Sequence, residues 1–225
     1  MKRGLTGNQL KFIALLAMTL DHIGVTLLPG VYVLRCIGRL AFPIYAYMIA
    51  EGCRHTRSMG RYLGTLAAVA AGCQAVYGLF MGSLYQCILV TFSLSVGLCA
   101  LFAWAKKTET RLAAVVTVAA GLAVLFLTEV LPYLLPGFCV DYGFLGVMLP
   151  VAVYLSRTKR QRLFFSAVIL LAMGVQMGVA QWLSLLALPL LALYNGQRGR
   201  LRCKYLFYVY YPAHLVVIYI LSLVL

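Results

Sequence analysis

Charge is what this chain has least of. Charged residues make up 11% of its 225 positions, and the acids among them number five against 19 lysines and arginines. With 64% hydrophobic residues, the composition excludes a soluble globular domain, whose apolar share lies nearer ~45–50%. Other absences narrow it further. There is no internal repeat of the kind that marks many transporters, no low-complexity tract and no linker. The seven cysteines, Cys36, Cys53, Cys73, Cys87, Cys99, Cys139 and Cys203, include no pair at the close spacing of a zinc or redox motif. They read as small hydrophobes, with Cys139 open to oxidation in a suitable compartment. No cleavable signal peptide is expected, because the first apolar run is long and carries Asp21 and His22 within it.

What remains is a chain built for lipid: an all-α, polytopic integral-membrane protein read as a single domain over residues 1–225. The net charge of +14 is a matter of placement. Every lysine and arginine except Lys11, Arg35 and Arg39 falls in polar breaks near 1–4, 53–62, 106–111, 156–162 and 195–204. The alternating connections near 28–32, 80–85, 128–140 and 174–181 hold none. By the positive-inside rule, the N-terminus and basic loops are cytoplasmic and the spans are odd in number. About nine spans are predicted, at 8–29, 31–52, 62–80, 85–105, 112–128, 140–155, 163–178, 180–194 and 207–225. The basic excess then serves topology and attraction to anionic inner-leaflet lipid, with no nucleic-acid partner.

Lys11, Arg35 and Arg39, the cations outside the loops, accompany Asp21 and His22 in the first fifty residues. Lys11 and His22 are eleven positions apart, so on a helix they share a face about 16 Å apart along the axis. If the first two spans form a hairpin turning at Pro29-Gly30, residues whose numbers sum to about 61 lie at one depth. That predicts a lower layer of Lys11 with Glu51 and an upper layer of His22 with Arg39. The lower layer has a structural explanation, a snorkelling lysine relieved by an ion pair. In the upper layer Arg35 and Arg39 share a helical face and each costs at least ~2.5 kcal/mol to insert, with Asp21 the counter-ion. A purely structural clamp leaves His22 unexplained; its ordinary pKa suits a general base. His214 follows Pro212, which is expected to kink the last helix, and reads as a hydrogen-bonded interior residue or a secondary site. Asp141 opens the sixth span as a candidate N-cap. Glu109, Glu129 and His55 receive no role.

A set of strings resembles a known family: Leu5-Thr6 through Leu10-Lys11; Asp21-His22-Ile23-Gly24; Arg35 with Ile37-Gly38-Arg39-Leu40-Ala41-Phe42-Pro43-Ile44-Tyr45-Ala46; Ile49-Ala50-Glu51-Gly52 with His55-Thr56-Arg57; Asp141-Tyr142-Gly143; and Tyr211-Pro212-Ala213-His214-Leu215. Together they are similar to the signature of the TraX family over nearly the whole chain. The resemblance implies a membrane-embedded acyltransferase of the bacterial cytoplasmic membrane. The founding type acetylates the N-terminal amine of a conjugative pilin with acetyl-CoA. A basic residue eleven positions before a histidine is also similar to the pattern of broader membrane acyltransferases.

On that analogy His22 is the catalytic base, assisted by Asp21, Arg35 and Arg39. Lys11, Glu51, Arg54 and Arg57 are expected on the acyl-CoA side, with Lys11 standing where an arginine is more usual. His214, Tyr211 and Asp141 are possible acceptor or secondary sites, and no metal is called for. The acceptor is an amine or hydroxyl, such as a pilin N-terminus or another envelope component. Two other readings remain open: a transporter or channel, since buried ionisable groups also line ion paths, and a non-catalytic subunit of a conjugation or secretion assembly.

Overall fold

Thr6 and Gln9 cap the first helix reciprocally: the Thr6 hydroxyl accepts from the Gln9 amide while the Gln9 side chain accepts from the Thr6 amide at 2.8 Å. Two further amides at this end, those of Gly7 and Asn8, donate at 2.8 and 3.0 Å to the carbonyls of Gln197 and Arg198. Leu5 is paired in parallel with Tyr194. The start of the helix is thereby fastened to the segment after Leu193. The computed structural model describes residues 4–199 and 204–224. It forms two compact units, one taking the chain up to Met48 and again from Leu163, the other Ile49–Arg162.

In the first unit, α1 (Gly7–Thr26) turns at Pro29-Gly30 into α2 (Tyr32–Gly38), the predicted hairpin. Its closeness is set by glycines: a Cβ on Gly24 would stand 2.8 Å from the Leu34 Cβ, and one on Gly38 would collide with Asp21. The expected second span of 31–52 is not one continuous α-helix. It breaks at Arg39-Leu40, where the amides fall back to the Cys36 and Ile37 carbonyls, and resumes as α3 (Ala41–His55). Pro43 supplies the reason, because it has no N–H to give the Arg39 carbonyl and its ring crowds that group. Later come α9 (Lys159–Met177), a 3₁₀ segment Val179–Leu186, α10 (Ala187–Ala192) and α11 (Lys204–Val224). The eighth expected span, 180–194, is therefore a 3₁₀ turn running into a short helix. Gly178, at φ 91, makes the sharp entry to it.

In the second unit, α4 (Met59–Met81) ends at left-handed Gly82, and α5 (Ile88–Thr108) follows a two-residue strand, β1 (Tyr85–Gln86). Next comes α6 (Arg111–Leu125), which continues through a π segment, Phe126–Val130, into α7 (Leu131–Leu134). The helix thus extends beyond the expected end at 128. Pro132 cannot donate to the Thr128 carbonyl, and the widened turn before it relieves the clash. After β2 (Cys139–Val140), paired in parallel with β1, α8 (Gly143–Leu155) is tied to α5 by Thr91 Oγ1 to the Asp141 carbonyl at 2.7 Å and Ser95 Oγ to the Val147 carbonyl at 2.8 Å.

The class is all-α, and its outside is greasy. Tyr32–His55, Ile88–Thr108 and Arg111–Leu134 are helical, long and apolar enough to cross a membrane. Gly143–Leu155, Val179–Ala192 and Val209–Val224 are shorter apolar helices. Along α6, Leu112, Val115, Val118 and Leu122 form an exposed stripe at helical spacing. That arrangement suits contact with acyl chains rather than water.

Candidate active site

The predicted upper layer assembles in the first unit. Arg39 Nη2 lies 2.8 and 2.7 Å from the two carboxylate oxygens of Asp21, and Arg35 Nη1 donates to Oδ2 at 3.0 Å. One carboxylate thus holds two guanidiniums that come from one helical face and the break after it. Gly38 lets the carboxylate approach the α2 backbone so closely. The second terminal nitrogen of the Arg39 guanidinium, Nη1, makes a long contact of 3.5 Å to Oε1 of Gln181 in the 3₁₀ segment.

His22 reaches a partner that sequence spacing did not connect to it. His214 Nε2 lies 2.9 Å from His22 Nδ1, and the other ring nitrogen of His214, Nδ1, lies 2.9 Å from the Tyr210 carbonyl oxygen. A carbonyl only accepts, so His214 Nδ1 carries the proton. In the neutral pair His214 Nε2 is then a lone pair, and His22 Nδ1–H donates to it. The consequence is that His22 Nε2 is unprotonated and is the nitrogen able to take up a proton. One helical turn earlier, the Thr19 hydroxyl donates to the Leu15 carbonyl at 2.8 Å, so the Tyr210 hydroxyl must donate to Thr19 Oγ1, also at 2.8 Å. Tyr210 stacks on the His214 ring with centroids 5.2 Å apart, and buried Tyr211 meets it edge-on at 5.6 Å. The α11 helix runs on through Pro212.

Lys11 turns toward the same helix, its ammonium 5.4 Å from the centre of the Phe207 ring. Arg198 is near enough to act on Lys11 electrostatically. Lys11, Thr19 and His22 therefore meet Phe207, Tyr210 and His214 in order, which places Lys11 and His22 on one face and makes α1 and α11 parallel.

The other half of the expected lower layer, Glu51, belongs to the second unit. Its carboxylate is buried and takes Arg162 at 2.8 Å, with Arg54 at 3.9 Å. Arg54 Nη2 donates to the Val153 and Tyr154 carbonyls at 2.7 and 2.5 Å and to that of Ser156, closing the C-terminal end of α8. Arg57 is exposed. The pairings of Glu51 with Arg162 and of Arg54 with the end of α8 were not legible as spacing.

Asp141 is not the N-cap of α8. That position is Tyr142 at φ 60, without a side-chain cap bond, while Asp141 is hydrogen-bonded to the side chain of Tyr85. The acid at the α8 N-terminus is Glu129, whose Oε1 accepts the Phe144 amide at 2.8 Å. Glu129 received no role from the sequence. The π segment carries it there, and no local sequence signal marks that contact.

No solved structure matches this chain. Over 243 aligned residues it is 28% identical to the probable fimbrial assembly protein FimC, serogroup H1, of Dichelobacter nodosus, covering 93% of each chain. A shorter stretch of 38 residues, 17% of this chain and 15% of the other, is 47% identical to the uncharacterized protein RP591 of Rickettsia prowazekii (strain Madrid E). The TraX protein family matches residues 6–222, a span that includes both histidines of the pair and the Asp21 cluster. The chain belongs to the TraX family.

Proposed function

We propose that this protein is a membrane-embedded acyltransferase that moves an acetyl or similar acyl group from cytoplasmic acyl-CoA to an amine or hydroxyl acceptor. The observation that carries the reading is the His22–His214 pair, because its hydrogen-bond direction leaves His22 Nε2 free to act as base. In the reaction, His22 Nε2 takes the proton of the acceptor as its nitrogen or oxygen attacks the thioester carbonyl. The tetrahedral intermediate collapses, the carbon–sulfur bond breaks, and the proton passes from His22 to the departing CoA sulfur. His214 holds His22 in the right tautomer and shares the charge of the imidazolium. Asp21 with its two arginines leaves one net positive charge beside the site, which favours the oxyanion.

Lys11 and Arg198 give the phosphate groups of acyl-CoA cationic partners at the other end of the α1 face. The pantetheine arm lies along that face and brings the thioester to His22. In this reading the N-terminus and the basic loops are cytoplasmic, and the chain sits in the bacterial inner membrane. The parallel course of α1 and α11 supports a common starting side for both. The fimbrial role of the FimC relative supports an envelope acceptor such as a pilin N-terminus. The test is purified protein with labelled acetyl-CoA and membranes of the expressing cells. His22→Ala, still folded, is expected to lose transfer by on the order of 10²–10⁴; unchanged turnover rejects His22 as the base.

A further inference from the structure

Both guanidiniums of the cluster are bound to Asp21, so neither is an obvious direct donor to a developing oxyanion. A different group beside them has the right chemistry. Gln181 is 2% exposed, and its backbone is engaged: its amide donates to the Gly178 carbonyl at 3.0 Å, and its carbonyl accepts the Ser184 hydroxyl at 2.6 Å. Its side chain is only half used. Oε1 faces Arg39 Nη1 at 3.5 Å, while Nε2 is buried with no hydrogen-bond partner. The orientation is dictated by chemistry, because arginine offers only donors, so the oxygen of the amide must face it and the nitrogen must point away.

A buried amide nitrogen whose protons have no acceptor is costly unless a ligand completes it. The ligand must supply an acceptor oxygen, since Nε2 only donates. The residue lies in a 3₁₀ segment entered through Gly178 at φ 91. Arg39 links this amide to Asp21, which is adjacent in sequence to His22.

We propose that Gln181 Nε2 is the hydrogen-bond donor to the carbonyl oxygen of the acyl thioester. Arg39 positions the amide from its oxygen side, and the nitrogen side meets the oxygen that becomes negative as the tetrahedral intermediate forms. The assignment rests on the acyl-transfer reading above and deepens it by placing the substrate carbonyl. It also gives the Asp21–Arg39 pair a task distinct from proton transfer, that of holding a neutral donor in place.

The test is Gln181→Glu, which keeps an oxygen for Arg39 and replaces the N–H donor with a second acceptor. Free CoA thiol released from acetyl-CoA is measured, with membranes of the expressing cells supplying the acceptor. The expected result is a fall in kcat on the order of 10²–10³, the loss typical of one oxyanion donor, with KM for acetyl-CoA unchanged. Active wild type together with full kcat in Gln181→Glu overturns the Gln181 assignment alone and leaves a structural contact to Arg39 as its role. Wild type that releases no thiol overturns the acyl-transfer reading and this assignment with it. Should Gln181→Glu not fold, Gln181→Asn retains the amide but withdraws it by one methylene. It is expected to lower kcat at constant KM, and full kcat there rejects the proposal equally.

Discussion

Two imidazoles 192 positions apart meet at 2.9 Å, and a single carbonyl oxygen determines which nitrogen of each is protonated. The tautomer of His22 depends on that chain of hydrogen bonds from Tyr210 through His214 to His22. In the proposed reaction His214 acts through His22, so its replacement should weaken acyl transfer without touching acyl-CoA binding. His214→Ala is predicted to lower kcat on the order of 10–100-fold at constant KM for acetyl-CoA, the usual cost of removing an orienting partner. A rise in KM with constant kcat would assign His214 to binding instead. The neighbouring group works differently: Asp21 with Arg35 and Arg39 is a charge cluster, in which removing one member strands the others.

At the scale of elements, prolines and glycines determine where side chains can meet. Pro43 breaks the second helical stretch at Arg39, and Pro132 widens α6 so that Glu129 reaches the start of α8. Gly38 closes the α1–α2 hairpin on Asp21. Gly38→Ala therefore puts a methyl group where the carboxylate stands. It is predicted to cost about 1–3 kcal/mol, read as an earlier thermal transition in detergent. A variant as stable as the parent would mean that the hairpin is looser than described. The hairpin itself was legible: Pro29-Gly30 marked the turn, the depth rule put His22 level with Arg39, and charge alone named Asp21 as the counter-ion. Its interruption was not, because the apolar pattern runs on through Pro43.

At the scale of the whole molecule, composition alone was enough to assign a lipid environment, and the exposed stripe on α6 agrees with it. The histidine pair was harder to see. Helical periodicity relates residues within one span, whereas His22 and His214 are joined by the docking of α11 on α1. Gln181 carries no charge and sits in an apolar run, so nothing in its neighbourhood singled it out. Orientation in the membrane has a direct readout in Cys139, the exposed thiol among the described cysteines, on a connection without lysine or arginine. A membrane-impermeant maleimide should label intact cells at Cys139, and Cys139→Ser should abolish that signal. Labelling only after permeabilisation would invert the topology. Partial desolvation and the carboxylates of Asp141 and Glu129 push this thiol above its ordinary range. A raised thiol pKa means little thiolate at neutral pH, so labelling should quicken as pH rises.

The most direct measurement is mass spectrometry of membranes supplied with isotopically labelled acetyl-CoA, comparing cells that express the parent protein with cells that express His22→Ala at equal abundance. A labelled amine or hydroxyl product present with the parent and absent with the variant is the predicted result. The same labelled products at the same level from both would contradict the account.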